Sequence, residues 1–432
     1  MTVDLDTPLR LPCGVELPNR LLKSAMTEGL ADDRDRATRR HATLYRCWAQ
    51  GGTGTLVTGN VMIDRRFLER PGNVVIDGNG GMAALRRWAA AGTANGNQLW
   101  MQISHPGRQC GRLVSRRPQA PSAVRLDLLG LFARPTAMSA VDIEDALERF
   151  ARVAGIARET GFTGVQLHAA HGYLISEFLS PLTNRRRDQW GGDLAARARF
   201  LLEAVARTRR AVGADFPLAV KLNSADFQKG GFGFSDSIQV VQWLEAAGVD
   251  LVEISGGSYE QPAMFAIEGR AANVDAPLRE STRRREAFFL DFAERLRAEV
   301  NLPLAVTGGF RTRAAMVDAL QRKALDVIGL ARPLIVEPDL SARLIQALSV
   351  GAVNHEDGLR LGRGRLGPNS TLFLFKVLNT LGTMAWYYRQ IIRLSEGLSP
   401  DPDMRMPTAL LSHQATEVRV ALRRRRVLRG TS

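Results

Sequence analysis

Cysteine is scarce in this chain of 432 residues: Cys13, Cys47 and Cys110 are its only three, far apart and in no CxxC pattern. That usage excludes a disulfide framework and offers no thiolate set for a zinc or iron–sulfur centre. There is no uninterrupted run of about 18 apolar residues, the length a bilayer-spanning helix needs. The leading MTVDLDTPLR is acidic and lacks an apolar signal core, so a soluble protein in a reducing cytoplasm is expected. Also missing is a GxGxxG after the first apolar strand, which ends at Met26; its absence weighs against a doubly wound dinucleotide-binding sheet.

What is present suits a sizeable core, with 45% hydrophobic and 24% charged residues. The length allows two or three domains, or one large α/β barrel with an appendage. The formal net charge of +14 would favour acidic partners. However, arginine is spread along the chain and is dense only in RVALRRRRVLRG, Arg419 to Gly430. No aromatic residues interleave with Arg423 to Arg426, so the run reads as a solvated or subunit-contacting tail, and nucleic acid is not the expected partner.

Taken in order, the chain alternates short apolar strands with amphipathic helices. LRLPCGVELPNR (Leu9 to Arg20) reads as a β-hairpin that could plug one end of the fold. Core strands are expected at Leu21 to Met26, Thr53 to Gly59, Gln98 to Ser104, the stretch opening at Val165, Pro217 to Asn223, Asp250 to Ser255, Leu302 to Gly308 and Ala324 to Leu330. Helical periodicity separates them at Arg39 to Gly52, Met82 to Gly92, Ala146 to Gly161, Leu194 to Gly213, Ser237 to Gly248, Arg285 to Val300 and Arg313 to Lys323, with a closing helix over 339–348. Eight strands in strict alternation predict a (β/α)8 barrel of residues 1–350. Residues 351–432 then form a linker and a helical, arginine-rich extension, with one helix at Thr371 to Leu394 packing on the barrel or a neighbouring subunit.

In such a barrel the chemistry gathers where the strands end. That rule collects Ala25, Met26, Thr27, Gly59, Asn60, Gln102, His168, His171, Tyr173, Lys221, Ser255, Gly256, Gly257, Thr307, Gly308, Gly309, Ala331 and Arg332 on one face. Gly308 and Gly309 could present backbone N–H groups to a phosphate, with Arg332 adding a charge-assisted contact. Gln102 and Lys221 suit a planar heterocycle that gains negative charge, a description a reduced flavin meets, and Thr27 could hydrogen-bond its ring carbonyl.

At these residues the chain resembles the Old Yellow Enzyme family of FMN-dependent NADH:flavin oxidoreductases, from Pro8 to about Pro338. The resemblance rests on NRLLKSAMTE, QISHPGRQ, APSA, HAAHGYLISEFLSPLTNRRRDQWGG, VKLN, GVDLVEISGG, VTGG and DVIGLARPLI in family order. It implies that Ala25, Met26, Thr27, Gly59, Gln102 and Lys221 line the flavin, and that Gly308, Gly309, Ala331 and Arg332 hold its phosphate. It further implies that His168 and His171 bind a carbonyl oxygen and that Tyr173 supplies a proton. NADH or NADPH would be the reductant, an α,β-unsaturated carbonyl compound the oxidant, and a homo-oligomer the expected assembly. The chain departs from the His-His subgroup at Thr27, where cysteine is usual, and at Gly29, where tyrosine is. It also has no cysteine beyond Cys110 where larger relatives carry a cluster.

Other readings of the same residues stand beside these. His168 and His171 could be metal ligands, although no third ligand is placed near them by sequence, and Tyr173 could simply cap a core. Lys221 could be the Schiff-base lysine of a barrel aldolase. His105 reads as a loop hydrogen-bonder. A non-catalytic flavin- or nucleic-acid-binding barrel is the remaining alternative.

Overall fold

The computed structural model describes residues 2–127, 130–256, 290–362, 364, 367–368, 370 and 372–430. Eight parallel strands close into a barrel: β1 (Leu21–Lys23), β2 (Thr55–Val57), β3 (Gln98–Ser104), β4 (Gly164–Ala169), β5 (Leu218–Asn223), β6 (Leu251–Ser255), β7 (Leu304–Thr307) and β8 (Val327–Leu330). Each pairs with the next in sequence, and β8 returns to β1 in the register Ile328 to Leu21. The strands expected from the sequence are therefore present in the expected order.

Side-chain alternation decides what each face holds. In β5, Leu218, Val220 and Leu222 point outward into the helix-packed core, whereas Ala219, Lys221 and Asn223 alternate with them. In β6, Val252 and Ile254 face the helices, opposite Leu251, Glu253 and Ser255. The floor of the barrel is an apolar layer of Leu22, Val57, Trp100, Ala219, Leu251, Ala305 and Val327, against which Leu11 and Leu17 pack. Leu17 belongs to the antiparallel hairpin (Leu9–Arg10 with Glu16–Leu17) and Leu11 follows its first strand, so the hairpin is the expected plug.

The outer layer comprises α1 (Arg39–Gln50), α2 (Met82–Gly92), α3 (Ala140–Glu159), α4 (Leu174–Leu179), α5 (Leu194–Val212), α6 (Phe234–Ala246), a helical stretch over 290–297, and α7 (Arg313–Gln321). Helix α3 starts earlier than its apolar stripe suggests. Ser139 and Asp142 form a capping box that satisfies its first N–H groups. The closing helix expected over 339–348 is α9 (Leu340–Ile345), and a short α8 (Pro333–Val336) precedes it, with Glu337, Pro338 and Asp339 between the two. The first part of the helix expected at Arg285 to Val300 lies outside the described residues.

Beyond the barrel, α10 (Phe373–Ser395) and α11 (Met406–Gly430) pack on each other, and α10 lies on α1. Trp386 is fully buried, and Arg40 on α1 bonds Ser395 and Glu396. The arginine run is not simply a solvated tail. Arg424 is buried, its Nε 2.7 Å from one oxygen of Asp35, and its other arm reaches the Arg65 carbonyl. No helix among the described residues is long and apolar enough to cross a membrane.

Removing one partner of a buried ion pair strands the other charge, at a cost of about 3–5 kcal/mol. Arg424→Met should therefore lower the melting temperature and expose α11 to limited proteolysis, and adding Asp35→Asn should recover part of the loss. Unchanged melting and cleavage in the single variant would contradict this role.

Candidate active site

The polar residues on the inner face of the strands form one connected network above the apolar floor. At its centre is Glu253, fully buried in β6. One carboxylate oxygen accepts from Lys221 Nζ at 2.8 Å, from Thr307 Oγ1 at 2.6 Å and from Ser24 Oγ. The other accepts from Gln166 Nε2 at 2.7 Å, and Gln166 in turn accepts from Gln102 Nε2 at 2.7 Å. Burial pushes the Glu253 carboxyl up, but Lys221 and the surrounding donors outweigh it and bring it to about 2. Gly329 makes room for this arrangement, because a Cβ there would collide with the Thr307 hydroxyl.

Above this layer stand the two histidines. His168, on β4, accepts at Nδ1 from the Ala170 N–H, 3.2 Å away, which leaves the proton on Nε2. His171 occupies the left-handed region at φ 63°, unusual for a non-glycine residue. Three contacts hold it there: its N–H donates to Asn223 Oδ1 (3.1 Å), its carbonyl accepts from Gln109 Nε2 (2.6 Å), and its Nε2 lies 2.6 Å from Ser255 Oγ. The two imidazole centroids are 5.1 Å apart, and the Tyr173 ring meets His168 edge-on at 4.7 Å. Burial, reinforced by neighbouring charge including Lys221, drives His171 down to about 3 and His168 well below its usual value, so both are neutral at physiological pH. Among the described residues no group of three or more His, Cys, Asp or Glu is placed to hold a metal.

The remaining rim residues come to the same end of the barrel. Ala25, Met26 and Thr27 follow β1, and Gly59 follows β2, where its N–H donates to Glu28 (2.8 Å). Thr27 does not present a free hydroxyl: it donates to Glu69 at 2.9 Å, and Asn60 bonds the same carboxylate at 2.7 Å. Gly308 and Gly309 follow β7 with φ of 110° and 90°, beside Ala331 and Arg332 after β8. Arg332 is 42% exposed and paired with Glu356 (2.6 Å), which also takes Arg311 (2.6 Å) and the Tyr387 hydroxyl (3.2 Å). His105 acts as a loop hydrogen-bonder, its Nδ1 accepting from the Gly107 N–H at 3.0 Å. Gly257 lies outside the described residues.

Sequence reasoning did not single out Glu253, Ser24, Gln166, Asn223 or Glu356. A signal for Glu253 was available, since a lone carboxylate between Val252 and Ile254 in an apolar strand must face the barrel interior.

The donor set fits an FMN. Two positive-φ glycines and an arginine lie at the β7–β8 end, a buried cation stands on β5, and Asn60 Oδ1, Ser104 Oγ and Ser224 Oγ are buried near the strand ends without a partner. The profile of the NADH:flavin oxidoreductase / NADH oxidase family matches residues 4–350. The chain belongs to this family, that of the Old Yellow Enzymes. It is 39% identical over 360 residues to the NADH-dependent flavin oxidoreductase iliE of Neonectria sp. (strain DH2), covering 78% of this chain but only 46% of that protein. It is 35% identical over 413 residues to iccE of Talaromyces variabilis, covering 90% of this chain and 97% of that one. Among solved structures, a 2-naphthoyl-CoA reductase superposes with a TM-score of 0.72 at 26% identity, over 80% of this chain and 52% of that one. The old yellow enzyme homologue from Zymomonas mobilis matches in fold at 0.67, with 24% identity over 81% and 94%. The cofactor is FMN.

The neutral histidines also set an acid limit. Besides His168 and His171, burial takes His41, His105 and His413 down to about 3, 4 and 3. The unfolded chain protonates these imidazoles near pH 6.5 and the folded chain does not, so stability is full above about pH 7 and falls as pH drops below 6.5. Each contributes up to about 1.4 kcal/mol per pH unit. Urea midpoints measured from pH 7.5 to 5 should fall steeply; a flat profile would mean these side chains are solvated.

Proposed function

We propose that the protein is an FMN-dependent NAD(P)H oxidoreductase that reduces the carbon–carbon double bond of an α,β-unsaturated carbonyl compound. The observation that carries this reading is the pair of uncharged imidazoles, the buried His168 and the half-buried His171, with the Tyr173 ring against His168. Two neutral N–H donors 5.1 Å apart, centre to centre, suit a single oxygen that gains negative charge. His168 would donate from Nε2. His171, with Nε2 against Ser255, would donate from Nδ1.

Bound FMN supplies the redox chemistry, passing hydride from NADH or NADPH to the substrate β-carbon. Ala25, Met26, Thr27, Gly59, Gln102 and Lys221 would line its ring, and Gly308, Gly309, Ala331 and Arg332 its phosphate. The histidines polarise the substrate carbonyl and stabilise the enolate charge, each hydrogen bond contributing about 2–4 kcal/mol in a dry site. Tyr173, on the same loop, delivers the proton to the α-carbon. The Schiff-base alternative is disfavoured by the contacts of Lys221, whose amine is tied to the Glu253 carboxylate at 2.8 Å and to Ser24 Oγ at 3.0 Å, whereas imine formation requires an amine free to attack a carbonyl carbon.

Tyr173→Phe separates the two half-reactions. Oxidation of the reduced flavin by an enone such as 2-cyclohexenone should slow by roughly 10²-fold, while reduction by NADH or NADPH stays near the wild-type rate. Stopped-flow traces showing equal slowing of both would remove the proton-donor role.

A further inference from the structure

We propose that Glu253 is a positioning residue that keeps Lys221 charged and fixed in place, and that through Lys221 it sets the reduction potential of the bound flavin. This rests on the reading of Lys221 as the cation beside the flavin ring.

The geometry is that of a counter-ion, not of a spare carboxylate. Both oxygens of Glu253 are occupied, by Lys221, Thr307 and Ser24 on one side and Gln166 on the other. Lys221 uses two of its three N–H groups, on Glu253 and on Ser24 Oγ at 3.0 Å. Its third has no acceptor among the described residues and is available to a ligand. The fold offers a comparison in Lys23, a second fully buried lysine, which lies on the helix-facing side of β1 and has no carboxylate bonded to its amine. Lys23 donates to the Val57 carbonyl (2.7 Å) and the Tyr45 hydroxyl (3.3 Å) and lies over Trp48, 4.4 Å from the ring centre. Burial takes its amine down to about 7. Burial thus favours the neutral form of a lysine that lacks a bonded carboxylate, and a neutral amine cannot stabilise negative charge on a reduced flavin.

The test is an anaerobic redox titration of the FMN-loaded protein with Lys, Met or Arg at position 221, each with and without Glu253→Gln. Lys221→Met should lower the midpoint potential. In the wild-type background Glu253→Gln should lower it too, by at least a tenfold shift in the ratio of reduced to oxidised FMN affinity, about 30 mV for a two-electron couple. In the Lys221→Met and Lys221→Arg backgrounds Glu253→Gln should not lower it, because methionine has no charge to protect and a guanidinium stays charged without a carboxylate. A rise in the wild-type background, or an equal fall in all three, would overturn the role. If Lys221→Met leaves the potential unmoved, Lys221 is not at the flavin, and the site reading falls together with this inference. Flavin absorbance and circular dichroism report loading and folding. Should Glu253→Gln fail to fold, Glu253→Met, which removes the charge with an apolar side chain of similar length, gives the same comparison of backgrounds.

Discussion

The buried ion pair between Lys221 and Glu253 is the constraint on which the barrel interior depends. Two charges taken out of water cost several kcal/mol each unless every lone pair and proton finds a partner. Here the partners come from most of the barrel: Ser24 after β1, Gln102 on β3, Gln166 on β4 and Thr307 on β7. Even β8 takes part, since only a glycine at 329 leaves room for Thr307. The network therefore fixes the mutual height of the strands, and the strand ends above it inherit that register. The two histidines stand on a floor that cannot shift without breaking a charged hydrogen bond.

The same logic separates the two ends of the barrel. Below the network lies the apolar layer, closed by the hairpin residues Leu11 and Leu17. Above it the interior becomes polar, with Asn223, Ser255 and His168 next along their strands. This gradient follows from one alternating set of positions per strand. It makes the C-terminal face the end that combines charge with hydrogen-bond donors among the described residues.

The C-terminal extension is joined to the barrel by charge as well as by packing. Glu356, just beyond the barrel, pairs with Arg311 and Arg332 at the ends of β7 and β8, and Tyr387 of α10 completes the group. Burial raises the Glu356 carboxyl, but the two arginines outweigh it and hold it below its usual range. The arginine proposed for the phosphate is thus shared with a segment outside the barrel. Far along the chain, Arg424 reaches back to Asp35 in the loop after β1. The extension contacts both the first and the last parts of the rim.

By itself the sequence determined the barrel, because strand and helix periods are local and survive in any short window: LAVKLN and LVEIS show their two faces without help from the rest of the chain. It also placed His168, His171 and Tyr173 together, since they lie within six residues and one turn orients all three. Tertiary structure alone decided which partners the polar residues take. Ser24 and Glu253 are 229 positions apart, Lys221 and Ser24 are 197, and Arg424 and Asp35 are 389. No local pattern encodes such pairings. Thr27 likewise reads as a free hydroxyl in the sequence, whereas in the fold Glu69 and Asn60 engage it. The physical reason is the same throughout: backbone periodicity is a property of neighbours in sequence, whereas the satisfaction of a buried charge depends on what the closed barrel brings within 3 Å of it.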